Sequence, residues 1–118
     1  APTYLLKPVT RRNKMTPEAK VKKKVVAILN DHGAYYFYPV TGGYGRSGVP
    51  DIVACHGGRF IGIECKAGKN KPTALQEKNL QDISRSGGEA MVINEDNITE
   101  VEDWLAWNSL RGDELLGL

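Results

Sequence analysis

Apolar residues recur along the chain at helical spacing in some segments and at strand spacing in others. From Thr16 the pattern is helical: Val21, Val25, Ile28 and Leu29 fall on one face, while Lys20, Lys23, Lys24 and Ala27 fall to the other. Thr16 as N-cap, Pro17 in the first helical position and Glu18 in the first turn give this helix a start, and it runs to about Asn30, before Gly33. AYYFYPV (34–40) is rich in aromatic and β-branched residues and reads as a strand ending near Pro39 or Val40. Two apolar runs follow, DIVACH (51–56) and RFIGIECK (59–66), joined by Gly57-Gly58 as the arms of one hairpin. Their alternation puts Ile52, Ala54, Ile61 and Ile63 on one face and Val53, Cys55 and Phe60 on the other, so a sheet covered on both sides is expected. Thr73-Ala74-Leu75-Gln76 matches a capping box and opens a second helix that ends near Gly87-Gly88. AMVIN (90–94) is then a short buried strand. Ile98 to Leu110 forms a third helix, with Val101, Trp104, Leu105 and, at its end, Leu110 expected on its apolar side and Trp107 at its edge. The order α, β, β, β, α, β, α belongs to the α/β class.

The hairpin parity has a chemical consequence. Two glycines suit the primed two-residue turns, which need positive φ, so His56 pairs with Arg59 and Asp51 faces Glu64. Side chains directly opposite on an antiparallel pair lie about 4.5–5.5 Å apart at Cβ, so two carboxylates are forced together. Lys66, two residues beyond Glu64, projects from the same face. Like charges placed so close are destabilising unless something offsets them, and a divalent cation, Mg²⁺ or Mn²⁺, between the carboxylates does so. With Asp51, Glu64 and the main-chain carbonyl of Cys65 as oxygen donors, and Lys66 beside them to act on water or on phosphate charge, the chemistry is phosphodiester hydrolysis. Glu18 lies within roughly 20° of Val25 and Leu29 in helical projection, so it shares the buried stripe. Two readings of it stand at this point: a site residue, or a first-turn acid favoured by the helix dipole.

Composition narrows the rest. A chain of 118 residues, 41% hydrophobic, suits one domain with a real core, over 16–118, preceded by an extended arm over 1–15 that carries Pro2 and Pro8. No apolar stretch approaches the roughly 18 residues of a membrane span, so a soluble protein without membrane contact is expected. It is expected in a reducing, intracellular compartment, the cytoplasm, of the host cell if the chain is viral. Cys55 and Cys65 point to opposite faces of the hairpin and read as buried free thiols. His32 and His56 are isolated in sequence, and no Ser-His-Asp or Cys-His grouping supports acyl transfer. The glycine-rich TGGYGRSGVP (41–50) lacks the Gly-Lys-Ser/Thr ending of a phosphate-binding P-loop, so it brings backbone close to a ligand or turns the chain sharply. Net charge is only +2, but residues 1–24 hold eight Lys and Arg against Glu18 alone, and residues 89–118 hold eight acids against Arg111 alone. A basic start of this kind suits a polyanion such as DNA or RNA; the alternative is that the two ends pair with each other.

Gly48-Val49-Pro50-Asp51 followed by Glu64-Cys65-Lys66 resembles the signature of the PD-(D/E)xK nuclease superfamily. Within it, SGVPDIVAC and GIECKAG with the later glutamine resemble the virus-type replication-repair nuclease (VRR-Nuc) domain in its stand-alone phage form, with the archaeal Holliday junction resolvases as near relatives. The resemblance spans about residues 16–95. It implies a restriction-endonuclease-like core, αβββαβ, here with an additional C-terminal helix and a mixed central sheet flanked by helices. It implies that Asp51 and Glu64 bind metal, that Cys65 contributes its carbonyl, that Lys66 is the catalytic lysine, that Glu18 reaches the site and that Gln76 lies beside it. It further implies a homodimeric endonuclease acting on branched DNA such as Holliday junctions or flaps. Arg11, Arg12, Lys22, Lys23, Arg46, Lys69 and Lys71 are then the expected phosphate contacts. A DNA-binding module without chemistry, part of a larger assembly, and an RNA-acting relative are the alternatives.

Overall fold

A computed structural model describes residues 14–117. Arg11, Arg12 and most of the expected arm lie outside the described residues. Seven elements follow in the expected order: α1 (Pro17–Asp31), β1 (Tyr35–Phe37), β2 (Ile52–His56), β3 (Arg59–Cys65), α2 (Ala74–Arg85), β4 (Glu89–Ile93) and α3 (Thr99–Leu116). The four strands form one sheet in the order β1-β2-β3-β4; the first three are antiparallel and β4 runs parallel to β3. The mixed sheet and flanking helices are those of a restriction-endonuclease-like α/β fold with a C-terminal helix added.

One face of the sheet carries the main core. Ile52, Ala54, Ile61, Ile63, Cys65 and Ile93 pack there against Val21, Val25 and Leu29 of α1 and Val101, Trp104 and Leu105 of α3. Each fully buried aliphatic side chain stabilises the fold by roughly 1.5–3 kcal/mol. On the opposite face α2 lies over β3 and β4. It approaches so closely that a Cβ on Gly62 would stand 2.6 Å from Ile83 Cδ1 and 2.9 Å from Pro50 Cγ. This second face is not fully covered: Phe37 and Phe60 remain about half exposed, and Cys55 is exposed. The expectation of a sheet sealed on both sides is therefore corrected, because α2 alone is too narrow to reach β1 and the far end of β2.

The hairpin register is the one the two glycines predict, with His56 opposite Arg59 and Ile52 opposite Ile63. The ladder stops there, so Asp51 and Lys66 flank the strands rather than belong to them. The larger departure is α3, which continues six residues beyond Leu110 and leaves that leucine exposed, off the apolar side expected of it. Gly112 disguised that continuation, since a mid-helix glycine costs about 1 kcal/mol. Here it is sterically required: a Cβ on Gly112 would lie 2.8 Å from Gly57 Cα, where the helix crosses the hairpin turn.

Candidate active site

Asp51 and Glu64 are brought together by the end of the β2–β3 ladder. Asp51 accepts a 2.8 Å hydrogen bond from the Cys65 N–H through Oδ2, which fixes its carboxylate at the mouth of the hairpin. Glu64, in β3, is buried, with a side chain only 2% exposed. Its Oε2 finds no hydrogen-bond donor. The Glu64 carboxyl meets that of Asp51, and two ionised carboxylates have no proton to share. Burial first, then the Asp51 charge and contact, push the Glu64 carboxyl up to about 8 against the opposing pull of Lys66. A proton or a cation between the two carboxyls would relieve this repulsion.

Lys66 follows β3, where its N–H donates to the Ile93 carbonyl at 2.9 Å. Its Nζ lies 3.7 Å from Glu64 Oε1 and 3.9 Å from Glu18 Oε1. Both separations exceed hydrogen-bond length, so the ammonium is held electrostatically and retains donors for another oxygen. Glu18 thus reaches the site, though not as the helical projection implied: its side chain is half exposed and extends from the rim of α1, outside the buried stripe. Gln76 serves both roles that its position allowed. Its Oε1 accepts from Thr73 N at 2.9 Å to complete the capping box, and its Nε2 donates to Glu64 Oε1 at 3.3 Å. Because a backbone N–H can only donate, the cap dictates which end of the amide faces Glu64.

The donor set favours a hard cation. Cys65 is buried on the core face, and burial, with Asp51 and Glu64 nearby, pushes its thiol up to about 12, so sulfur stays protonated and turned away. Among the described residues no group of three or more His, Cys, Asp and Glu side chains is placed to hold a metal. Two carboxylates, completed by main-chain oxygen and water, match the oxygen-only, water-rich coordination of Mg²⁺ and Mn²⁺. The unpartnered Glu64 Oε2 is the observation that fits such an ion.

Supporting residues that sequence reasoning missed hold the segments around the carboxylates. Buried Asn79 of α2 donates to the Ser47 carbonyl at 3.0 Å, and Gly48, at φ +74°, abuts Leu75. Arg46, an expected phosphate contact, forms an ion pair with Asp82 that anchors the glycine-rich loop to α2. Asn79 was legible only as the residue one turn beyond Gln76. Beyond Lys66, the Gly68 N–H donates to both oxygens of Glu95 at 2.9 and 3.1 Å, which holds that carboxyl below the usual range. Lys69 and Lys71 stand exposed on this clamped turn, Lys23 is exposed on α1, and Lys22 Nζ lies 4.5 Å from the centre of the Tyr38 ring. The histidines pack elsewhere: His56 Nε2 is 2.6 Å from Ser109 Oγ, and its ring meets His32 edge-on.

The sequence profile described as archaeal Holliday junction resolvase (hjc) matches residues 16–109. The chain belongs to this resolvase family. As a member it is a DNA nuclease of the PD-(D/E)xK-like resolvase type. It is also 29% identical over 85 residues to "Putative nuclease p44" of Acyrthosiphon pisum secondary endosymbiont phage 1, a match covering 71% of this chain and 89% of that protein. The resolvase match includes Glu18, Asp51, Glu64, Lys66 and Gln76, all the residues converging on the carboxylate pair. Among the described residues no helix of this resolvase-family chain is long and apolar enough to cross a membrane.

Proposed function

We propose that the chain is a divalent-metal-dependent, structure-selective endonuclease that hydrolyses phosphodiester bonds in branched DNA, of the stand-alone VRR-Nuc type. The carrying observation is the buried Glu64 carboxyl, set against Asp51 and without a donor at Oε2, with the Lys66 ammonium alongside. Asp51 and Glu64, with the Cys65 carbonyl, would hold Mg²⁺ or Mn²⁺. When bound, the ion supplies positive charge that offsets the two carboxylates and the Lewis acidity that phosphodiester hydrolysis draws on.

The protein's own groups do the rest. Lys66 directs its free N–H donors at the attacking water and at the phosphate oxygens as charge grows on them. Glu18 and Glu64 hold the ammonium from two sides, and Gln76 orients the Glu64 carboxyl by donating to its Oε1. Water adds to phosphorus, one P–O ester bond breaks, and a phosphate monoester and a hydroxyl result. The basic arm over 1–15 precedes the nuclease domain over 16–118 and, with Lys22, Lys23, Lys69 and Lys71, supplies phosphate contacts. A homodimer suits a branched substrate of two-fold symmetry that needs paired incisions. The protein acts in the cytoplasm.

Purified protein is incubated with labelled linear duplex, flap, four-way junction and RNA, with and without Mg²⁺ or Mn²⁺, beside Asp51→Ala. Metal-dependent cleavage of a branched DNA that disappears in the variant is expected. Cleavage that persists in Asp51→Ala or needs no metal would overturn the mechanism. Binding without cleavage of any substrate would favour a non-catalytic module, and cleavage confined to RNA an RNA-acting relative. A monomeric mass in solution would remove the paired-incision argument.

A further inference from the structure

The glycine-rich loop between β1 and β2 carries two apolar side chains that neither the core nor the carboxylate site uses. Val40 is 90% exposed and Tyr44 86%, the highest values among the large apolar side chains of the described residues. Between them the chain makes a closed turn, with the Tyr44 N–H donating to the Thr41 carbonyl. Gly42 and Gly43 sit at its centre with φ of +47° and +85°, the sign that a primed turn demands at both positions. A Cβ added at Gly42, Gly43 or Gly45 would meet nothing within 4 Å, so the tip stands clear of the body of the protein.

The stems of this projection are fixed where the tip is not. On the leading side, Tyr38 lies under Lys22 of α1. On the trailing side, Arg46 pairs with Asp82, the Ser47 carbonyl accepts from Asn79, and Gly48 is pressed against Leu75. Leu75 neighbours Gln76, whose amide reaches Glu64, and Gly48 is three residues before Asp51. Gly48 is four positions after Tyr44, a reach of at most about 14 Å. The stem of this aromatic-tipped turn and the Glu64 carboxyl therefore meet the same first turn of α2, one at Leu75 and the other at Gln76.

From this arrangement we infer that the Val40–Tyr44 turn is a wedge that enters the opening of a branched DNA, with the Tyr44 ring stacking on a base left unstacked at the branch point. The inference rests on the proposed branched-DNA activity and names the element that selects the branch. Polar side chains would serve a merely solvated turn equally well, whereas an exposed aromatic ring and a β-branched aliphatic are the side chains that separate base steps. A base inside a continuous duplex offers no free face. Stacking is therefore available at a branch and absent on linear DNA, which converts one contact into structural discrimination. Base–aromatic stacking corresponds to roughly 5- to 100-fold in affinity.

Wild type, Tyr44→Ala and Tyr44→Phe are compared for binding and cleavage of a four-way junction and a linear duplex, with 2-aminopurine at the branch point reporting stacking. Tyr44→Ala is expected to lose roughly 5- to 100-fold in junction affinity and the stacking-dependent change in 2-aminopurine fluorescence, with linear binding and thermal stability unchanged. Tyr44→Phe should retain all of these. A junction preference that survives intact in Tyr44→Ala overturns the wedge alone, as does an equal loss on junction and linear DNA. A wild-type protein that shows no preference for branched DNA overturns the wedge and the branched-substrate reading together.

Discussion

Glu64 is the residue at which folding and chemistry conflict. Its carboxyl is buried beside Asp51 and held up to about 8, so the folded protein binds a proton there that the unfolded chain has released above about 4.5. The folded state holds more protons over that interval, so stability is greatest below the unfolded value and falls as pH rises through the folded one. The loss has a limiting slope of about 1.4 kcal/mol per pH unit. Glu64→Gln removes the titration and keeps the buried shape. In metal-free buffer the variant should gain stability relative to wild type as pH rises from about 5 to about 8, while losing cleavage. Denaturant midpoints at several pH values measure this, and a wild-type minus variant difference that stays flat across the range would show that Glu64 titrates normally. The Asp51 and Glu64 pairing was legible in the sequence because one turn and a parity rule determine it. Gln76 was legible only as a choice between cap and contact, since sequence does not reveal that the two ends of one amide are used at once.

Glycine decides how the elements meet. At Gly57, φ is +60° and a Cβ would fall 1.9 Å from the Asn108 carbonyl oxygen of α3; at Gly58, φ is +77° but the nearest atom would be Leu115 Cδ1 at 3.7 Å. Both substitutions to alanine incur the left-handed backbone cost of roughly 1–3 kcal/mol, and only the first also displaces α3 from the hairpin. Gly57→Ala should therefore destabilise by clearly more than Gly58→Ala in urea unfolding, and equal losses would mean that α3 does not bear on the turn. The same contact explains what the sequence hid. The hairpin, the capping box and the buried faces of α1 and α3 follow from local periodicity. The run of α3 past Gly112 depends on a non-local fit to Gly57, which no local pattern encodes. The open outer face over Phe37 and Phe60 was missed for a related reason: alternation tells which residues share a face but not how far a helix extends over it.

Across the whole molecule, charge rather than shape governs the approach to DNA. The site's own cation, Lys66, is largely buried and engaged by two acids, so long-range attraction must come from exposed lysines around it. Lys69 and Lys71 are the best placed of these, because the turn that carries them begins at Lys66 and is tied by Gly68 to Glu95 and Asn94. Their backbone is held, so each presents its charge in one region instead of sweeping through solvent. Each phosphate that a lysine neutralises on duplex DNA contributes about 0.9 to the slope of log affinity against log salt. Replacing both with alanine should lower that slope by about 1.8, if each meets one phosphate, and weaken binding to branched and linear DNA alike. Turnover at saturating DNA should change little, because Lys66, Asp51 and Glu64 are untouched. Filter binding at several salt concentrations, with single-turnover cleavage at saturation, separates the two effects. An unchanged slope would remove this turn from the DNA interface, and a large fall in saturated cleavage would show that it positions Lys66 instead.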